Sequence, residues 1–155
     1  MTAQSALAAP PRPARLAVAA IFMLNGMALA NWIARIPDVK QQLALGDQLL
    51  GVVLLFAAIG ALIAQPTMGW LIHRFGSQVT TRVMAAAFGL SVALPGMANS
   101  VPALMAALFV VGACNGGLDV AMNAQAALVE GRYRRPIMNS FHGLWSVGGL
   151  AGAAI

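Results

Sequence analysis

The sequence predicts an all-α membrane protein, a polytopic helical bundle of five transmembrane helices. Hydrophobic residues make up 60% of its 155 residues and charged residues only 8%, whereas soluble domains have about 45–50% and about 25% respectively. A water-soluble surface cannot be built from so few charges. Long apolar stretches also recur along the chain, and the basic residues fall in short clusters between them. Both patterns are typical of a chain whose solvent is the bilayer.

The first fifteen residues differ in composition from the rest. Pro10, Pro11 and Pro13 stand among alanine and serine, a composition that neither packs nor propagates a helix. We therefore expect residues 1–15 to form a disordered cytoplasmic tail and residues 16–155 to form the transmembrane bundle.

Five apolar stretches supply the predicted spans, each near the roughly 20 residues that cross about 30 Å of hydrocarbon. They cover about residues 16–34, 49–72, 83–98, 102–129 and 137–155. Pro95 lies in the third stretch, where we expect it to kink the outer end of the helix. The fifth stretch runs to the last residue, so we expect the bundle to be truncated before a sixth helix.

The basic residues set the predicted orientation. Only Arg35 and Lys40 lie in the connector after the first span, whereas the other basic residues precede that span or follow the second and fourth spans: Arg12, Arg15, Arg74, Arg82, Arg132, Arg134 and Arg135. Cytoplasmic loops carry such an excess of Lys and Arg. The sequence therefore predicts a multi-pass membrane protein with a cytoplasmic N-terminus.

Several function classes are disfavoured by missing motifs. The single cysteine, Cys114, lies inside an apolar run, so no intrachain disulfide can form and no metal-ligand spacing exists. The basic residues form no continuous face with interleaved aromatics, as a nucleic-acid site requires. No G-x-S-x-G, H-E-x-x-H or phosphate-binding glycine loop occurs. We expect no enzyme activity, cofactor, metal or nucleic-acid partner.

A polar stripe in the fourth span contains the most informative residue, Asp119. A carboxylate in the middle of a span costs about 2.5–3.5 kcal/mol on insertion scales and seldom faces lipid. Asn115, Asp119 and Asn123 recur every four residues and so share one helix face, while Gly112 and Gly116 keep that side narrow. The stripe predicts a hydrated cavity with Asp119 as a proton-coupling residue. The alternative is a buried acid held by hydrogen bonds between helices.

Side chains of the first and fifth spans can meet this stripe across a shared cavity: Asn25, Trp32, Trp145 and Ser146. With Asn115 and Asn123 they form the predicted substrate-binding set, since amides and hydroxyls bind polar solutes and indole rings stack on them. For Asn25 and Ser146, hydrogen bonding between helices is an open alternative. For Trp32 the alternative is a place in the aromatic belt at the membrane interface.

His142 in the fifth span is the second predicted proton-coupling residue, beside Asp119. An imidazole can relay protons near neutral pH. Because His142 lies near the cytoplasmic end of its span, an interfacial location without a function is the alternative.

The loop between the second and third spans carries a motif. Its sequence, Gly69-Trp-Leu-Ile-His73-Arg74-Phe-Gly76, resembles the G-x-x-x-D-R-x-G signature of the major facilitator superfamily and stands where that family carries it. His73 replaces the usual Asp, and the basic pair that usually follows is missing. The resemblance assigns Gly69, His73, Arg74 and Gly76 to a gating loop.

Three further segments are similar to a bacterial branch of that superfamily, the fucose and other sugar permeases. They are Trp32-Ile-Ala-Arg35-Ile-Pro37, Leu118-Asp119-Val-Ala-Met-Asn123 and Phe141-His142-Gly143. The resemblance implies twelve helices in two halves, with the substrate between them, and a proton-coupling carboxylate on helix four, where Asp119 stands. It also implies that this chain is an incomplete N-terminal half, a fragment that needs the missing C-terminal helices to transport.

The function that these patterns predict is secondary active transport of a small polar solute, driven by protons, with a sugar as the class that the resemblance suggests. Its partners would be that solute, protons and membrane lipid. Two alternatives stay open. One is efflux of amphipathic compounds by proton antiport, which favours a larger apolar cavity. The other is a non-transporting membrane scaffold or inactive fragment, in which Asp119 is only a packed polar residue.

Overall fold

A computed structural model describes residues 12–133 and 135–155 of the chain. Six α-helices follow one another: α1 Arg12–Ala34, α2 Ile36–Gln42, α3 Asp47–Phe75, α4 Ser77–Ser91, α5 Val101–Tyr133 and α6 Met138–Ala153, with a 3₁₀ turn at Leu94–Met97 between α4 and α5. The described residues contain no strand, and the predicted helical bundle is confirmed. Helix α2 is a short connector, so five helices correspond to the five predicted spans.

Four segments are long and apolar enough to cross a membrane: Arg12–Gln42, Asp47–Phe75, Ser77–Met97 and Val101–Tyr133. The fifth, α6, has 16 residues, which is slightly shorter than the roughly 17–25 residues of a typical span.

Helix α1 begins four residues earlier than the predicted span. Residues 1–11 of the expected disordered tail lie outside the described residues. Residues 12–15 are helical, so the expectation of disorder is wrong for these four residues. Pro13 falls in the first turn of α1, where its missing N–H has no helical partner to lose and its fixed φ suits the helix.

The polar segments between the spans are more helical than the sequence predicts. Pro37 occupies the first turn of α2, so the connector after α1 contains a seven-residue helix. Helix α4 already starts at Ser77, and near its start the hydroxyls of Thr80 and Thr81 donate hydrogen bonds of 2.9 and 2.7 Å to carbonyls one turn earlier. The two hydroxyls are thus satisfied within the helix, although they lower its hydropathy.

Pro95 does not kink a helix. Helix α4 ends at Ser91, and Pro95 lies in the separate 3₁₀ turn that follows. Proline fits a tight turn because its φ is already fixed and its absent N–H is not needed there.

Two parallel pairs of helices form the bundle. Helix α1 packs along α6, α3 packs along α5, and α4 lies against α5. Fewer contacts join α1 to α5, and they bring the two pairs together. Because paired helices run in the same direction, their starts and ends lie at common levels in the membrane.

Glycines set the closest approach in the first pair. A Cβ atom on Gly26 of α1 would lie 2.1 Å from the carbonyl oxygen of Trp145 on α6. Conversely, Cβ atoms on Gly148 and Gly152 of α6 would each lie 2.0 Å from carbonyl oxygens of α1, those of Met23 and Met27. Only glycine allows this backbone contact, which is the small-residue packing of membrane helices.

The second pair repeats the same register. A Cβ atom on Gly60 of α3 would lie 2.1 Å from the carbonyl oxygen of Phe109 on α5, and one on Gly112 of α5 would lie 1.9 Å from that of Ala57 on α3. In each pair, each of the two facing glycines stands three residues after the carbonyl of its own helix that the other glycine approaches. The two halves of this bundle are therefore held by one repeated contact pattern.

The glycines of α5 do not narrow the polar side of that helix. Gly112 and Gly116 face α3, whereas Asn115 lies on the α1 side. Gly116, the residue after Asn115, points about 100° away around the helix, and the expectation that both glycines and the stripe share a side was wrong.

Two apolar clusters fill the described bundle. One contains Phe22, Leu118 and Phe141 and joins α1, α4, α5 and α6. The other contains Trp32, Val53 and Leu108 and joins α1, α2, α3 and α5 at the opposite end. The polar stripe lies beside the first cluster, where α1, α5 and α6 meet.

Candidate functional site

A buried amide joins three helices at the centre of the bundle. The Asn25 side chain on α1 is 4% exposed, and its Nδ2 donates a hydrogen bond of 2.9 Å to Oδ1 of Asn115 on α5. Its Oδ1 accepts a hydrogen bond of 2.8 Å from the indole Nε1 of Trp145 on α6. Asn25 therefore fixes the position of two side chains that come from different helices.

Asp119 lies one turn after Asn115 on the same face of α5. It is exposed, and its Oδ1 accepts a hydrogen bond of 3.1 Å from Nδ2 of Asn123, which also donates to the Asp119 carbonyl at 2.8 Å. In the described part of the chain no cation pairs with this carboxylate. Asp119 thus stands open in the membrane span with only a neutral amide beside it.

A small cavity of about 190 Å³ contains these groups. It is lined by Phe22, Asn25, Leu29, Asn115, Asp119, Met122, His142 and Trp145. The ring of His142 meets Phe22 edge to face, with ring centroids 5.3 Å apart. The cavity brings together five of the eight residues that the sequence suggested for substrate binding or proton coupling.

The other three of those eight residues lie outside the cavity. Asn123 is one turn beyond Asp119 and reaches the site only through it. The hydroxyl of Ser146 donates to the His142 carbonyl at 3.2 Å, which is a bond within α6. Trp32 is 8% exposed and belongs to the apolar cluster at the other end of the bundle.

The segment that resembles a gating motif joins α3 to α4. Gly69 lies in α3, and His73 and Arg74 are exposed in its last turn. Gly76 has φ = +82°, and its N–H donates a hydrogen bond of 2.8 Å to the carbonyl of Ile72. Because L side chains rarely adopt this backbone conformation, glycine is required at the junction.

Two polar contacts near the site were missed by sequence reasoning. The buried Ser77 hydroxyl at the start of α4 donates to Oε1 of Gln125 on α5. Oε2 of Glu130 accepts hydrogen bonds of 2.6 Å from the backbone N–H groups of both Ile137 and Met138. The only sequence signal for this cap is a lone acid a few residues before the start of α6.

The site contains amides, an acid, an imidazole and an indole. Among residues 12–133 and 135–155, no three His, Cys, Asp or Glu side chains lie close enough to hold a metal ion. These groups can form hydrogen bonds with a polar solute and can exchange protons.

Comparison with known proteins identifies the family. The family model described as the Major Facilitator Superfamily matches residues 16–155, which is most of the chain. The chain belongs to the major facilitator superfamily. In this superfamily chain the cavity lies on helices α1, α5 and α6, and the motif at Gly76 lies between α3 and α4.

Relatives with bacterial sources are similar to this superfamily chain over most of its length. An uncharacterized transporter of Sinorhizobium fredii, y4wD, is 43% identical over 137 residues, which cover 88% of this chain and 36% of the relative. An uncharacterized MFS-type transporter of Yersinia pestis is 38% identical over 132 residues, 85% of this chain and 34% of the relative.

A third relative, the membrane protein MosC of Rhizobium meliloti, is 38% identical over 136 residues, which cover 88% of this chain and 33% of the relative. The chain thus spans about a third of the length of the curated relatives that it matches. No solved structure matches it.

Proposed function

We propose that this chain forms the N-terminal part of a secondary active transporter that moves a small polar solute of the sugar class together with protons. The observation that supports this most directly is the cavity in which Asp119 and His142 stand beside the hydrogen-bonded Asn25, Asn115 and Trp145. A protonatable acid next to a polar binding surface is what coupled transport requires.

The proposed solute contacts follow from the polar atoms that remain open. Within the described residues, Nδ2 of Asn115 and Oδ2 of Asp119 have no hydrogen-bond partner. One is a donor and the other an acceptor, and a hydroxyl group can satisfy both at once. The Trp145 indole is anchored through its N–H, so its ring is held in one orientation and can stack on the apolar face of a sugar ring.

The proposed coupling step uses the cost of a charge in a water-poor cavity. An ionised Asp119 is tolerated while the cavity is open to water. When the site closes around a solute, water leaves, so a charge left in the cavity costs more free energy than a neutral group does. Proton binding and solute occlusion would then stabilise the same conformation.

The proposed orientation places the N-terminus on the cytoplasmic side of a bacterial-type inner membrane. The start of α1, the junction of α3 and α4, and the end of α5 lie at the same end of the bundle, and arginines stand at all three. This distribution supports a cytoplasmic location for that end.

The test is uptake into vesicles that contain the full-length transporter of which this chain is part. Radiolabelled sugars and amphipathic dyes are supplied with and without an inward proton gradient. The Asp119→Asn variant is compared with wild type and with Asp38→Asn, a control that removes an exposed acid from the connector α2.

We expect wild type and Asp38→Asn to accumulate a sugar against its gradient, and Asp119→Asn to lose accumulation while it binds or equilibrates the sugar. Transport of dyes but no sugar would favour proton-antiport efflux. If nothing is moved by any of the three proteins, the transporter proposal is wrong for this chain and the scaffold alternative is favoured.

A further inference from the structure

A second concave surface lies at the arginine-rich end of the bundle, where α1 begins, α5 ends and α6 begins. It is a groove of about 490 Å³. Three arginines, Arg12, Arg15 and Arg135, line it together with apolar side chains that include Leu16 and Leu144. We call it the basic groove, and it takes no part in the proposed transport function.

No acidic side chain neutralises the basic groove. The chain has only four acids. Asp38 and Asp47 lie at the far end of the bundle, in α2 and at the start of α3, and Asp119 lies in the solute cavity. Glu130 is the acid nearest to the groove in the chain, and one of its oxygens is committed to the cap of α6.

The single ion pair among residues 12–133 and 135–155 joins Lys40 to Asp47. Three guanidinium groups therefore share one groove without a protein counter-charge. Their positive charge attracts an anion from outside the chain.

One of the guanidinium groups is held in place by an aromatic ring. The Arg15 Cζ atom lies 5.4 Å from the ring centre of Tyr133 at the end of α5, a cation–π contact. Arg12 lies one turn before Arg15 on the same side of α1. Arg12 and Arg15 on α1 thus face Arg135, which lies in the segment that leads into α6.

The wall of the groove continues along α1 and α6 as an apolar surface. Leu16 is 70% exposed, and Ala19 and Leu144 are half-buried beside it. On α6, Leu144 lies two residues after His142, which turns it by about 200° around the helix. The basic groove therefore opens away from the solute cavity, on another face of the α1–α6 pair.

We propose that the basic groove binds the headgroup of an anionic glycerophospholipid. The phosphodiester sits between Arg12, Arg15 and Arg135, and an acyl chain lies along Leu16 and Leu144. Guanidinium groups match phosphate oxygens by paired hydrogen bonds, and basic pockets between helices at the membrane surface are suited to anionic headgroups. A soluble phosphate would satisfy the arginines but leave the apolar wall uncovered.

Native mass spectrometry of the detergent-purified full-length transporter of which this chain is part tests this proposal, with phosphatidylglycerol or phosphatidylcholine added in equal amounts. The test variant is Arg15→Gln/Arg135→Gln. The matched control is Arg74→Gln/Arg82→Gln, which removes the same charge from the α3–α4 junction at the same end of the bundle. Circular dichroism and gel filtration establish that each variant keeps its fold.

We expect wild type and the control to retain phosphatidylglycerol in preference to phosphatidylcholine, and the test variant to bind it about tenfold more weakly or worse. Equal losses in both variants would mean a general charge effect, and equal retention of both lipids would mean no headgroup site. Either result overturns the proposal. Displacement of the lipid by millimolar glycerol phosphate also overturns it, because the ligand would then be a soluble anion.

A second measurement does not depend on the folding of a variant. A photoreactive phosphatidylglycerol is incorporated into vesicles with the wild-type full-length transporter, and the labelled peptides are identified. We expect label on the first two turns of α1 or on residues 140–144 of α6. Label found only on other helices contradicts the proposed site.

Discussion

The indole N–H of Trp145 on α6 donates a 2.8 Å hydrogen bond to the side-chain oxygen of Asn25 on α1, across 120 positions of sequence. Through its amide nitrogen the same Asn25 holds Asn115 on α5. One side chain thus connects the two helix pairs of the bundle at the level of the cavity. Its location at the closest approach of α1 and α6, next to Gly26, explains how so short a side chain reaches both partners.

Replacing this side chain should destabilise the bundle. In Asn25→Leu the number and branching of the side-chain heavy atoms are kept, but Trp145 loses its acceptor and Asn115 loses its donor inside a span. Leaving such groups without partners costs about 1–3 kcal/mol. Thermal unfolding of the chain in detergent micelles should therefore shift to lower temperature. Asn139→Leu, at an exposed site in the first turn of α6, is the control, and an equal shift in both variants would contradict the proposed hub.

The glycine contact between α3 and α5 should tolerate no side chain. In Gly112→Ala the new Cβ atom meets the backbone oxygen of Ala57 at 1.9 Å, so that the helices must separate. Overpacking of this kind costs typically about 1–3 kcal/mol. Gly131→Ala, later in the same helix, has open space around it and should stabilise the helix by about 0.5–1 kcal/mol. If the packing is as described, the free energy of unfolding falls in Gly112→Ala and rises in Gly131→Ala.

The cap on α6 should depend on the Glu130 carboxylate. In Glu130→Ala the N–H groups of Ile137 and Met138 lose their acceptor, and hydrogen bonds to charged groups contribute about 1.5–3 kcal/mol each at most. We expect faster hydrogen exchange at these two amides with little change in the middle of α6. Glu130→Gln keeps an acceptor oxygen and should show a smaller increase. Unchanged exchange in Glu130→Ala would rule out the cap.

Water should reach the polar face of α5 and His142 on α6, and it should not reach the apolar faces of α5. Single cysteines are introduced at Asn115, Asp119 and His142 in the full-length transporter on a Cys114→Ala background. A membrane-impermeant maleimide reacts with a thiolate, which requires water, so we expect all three to be labelled. Cysteines at Leu108, which is fully buried, and Leu128, which is 61% exposed on an apolar surface, should stay unlabelled. Uniform absence of labelling would exclude a hydrated cavity.

The pKa of Asp47, at the start of α3, should be lowered by Lys40. The hydrogen bond from Lys40, and then its positive charge, hold the pKa of Asp47 below its ordinary value of 3.8. Since the pKa is lowered by folding, the pair favours the folded chain at neutral pH, and this contribution is lost as the pH falls through the lowered pKa. In Lys40→Met the Asp47 pKa should rise towards 3.8. Carbon NMR titration of the carboxyl group measures this, and Lys40→Arg should keep most of the depression.

Much of the candidate site followed from local sequence pattern. Asn115 and Asp119 are one turn apart in an apolar run, and helix geometry alone puts them on one face. A carboxylate in such a run had to face protein or water. By contrast, Trp32 was predicted beside the cavity from its residue type alone, and the structure places it in the apolar cluster near α2.

Helix ends were the least predictable feature. Hydropathy falls where a helix leaves the hydrocarbon, but the backbone can continue as long as its hydrogen bonds are satisfied. Helix α5 therefore runs on to Tyr133, and α4 begins at Ser77. The break between α3 and α4 is the single residue Gly76, which has a positive φ. The sequence shows only a polar connector there and does not indicate that the break is so short.

The sequence by itself determined that the chain is a bundle of membrane helices and that α5 carries a polar face, because composition and helical period are local properties. Only the tertiary structure decided that Asn25 meets Trp145, that Gly112 faces Ala57, and that three arginines share one groove. These contacts join residues far apart in the chain. Their pairing depends on which helices lie side by side, and a pattern within any one helix does not contain that information.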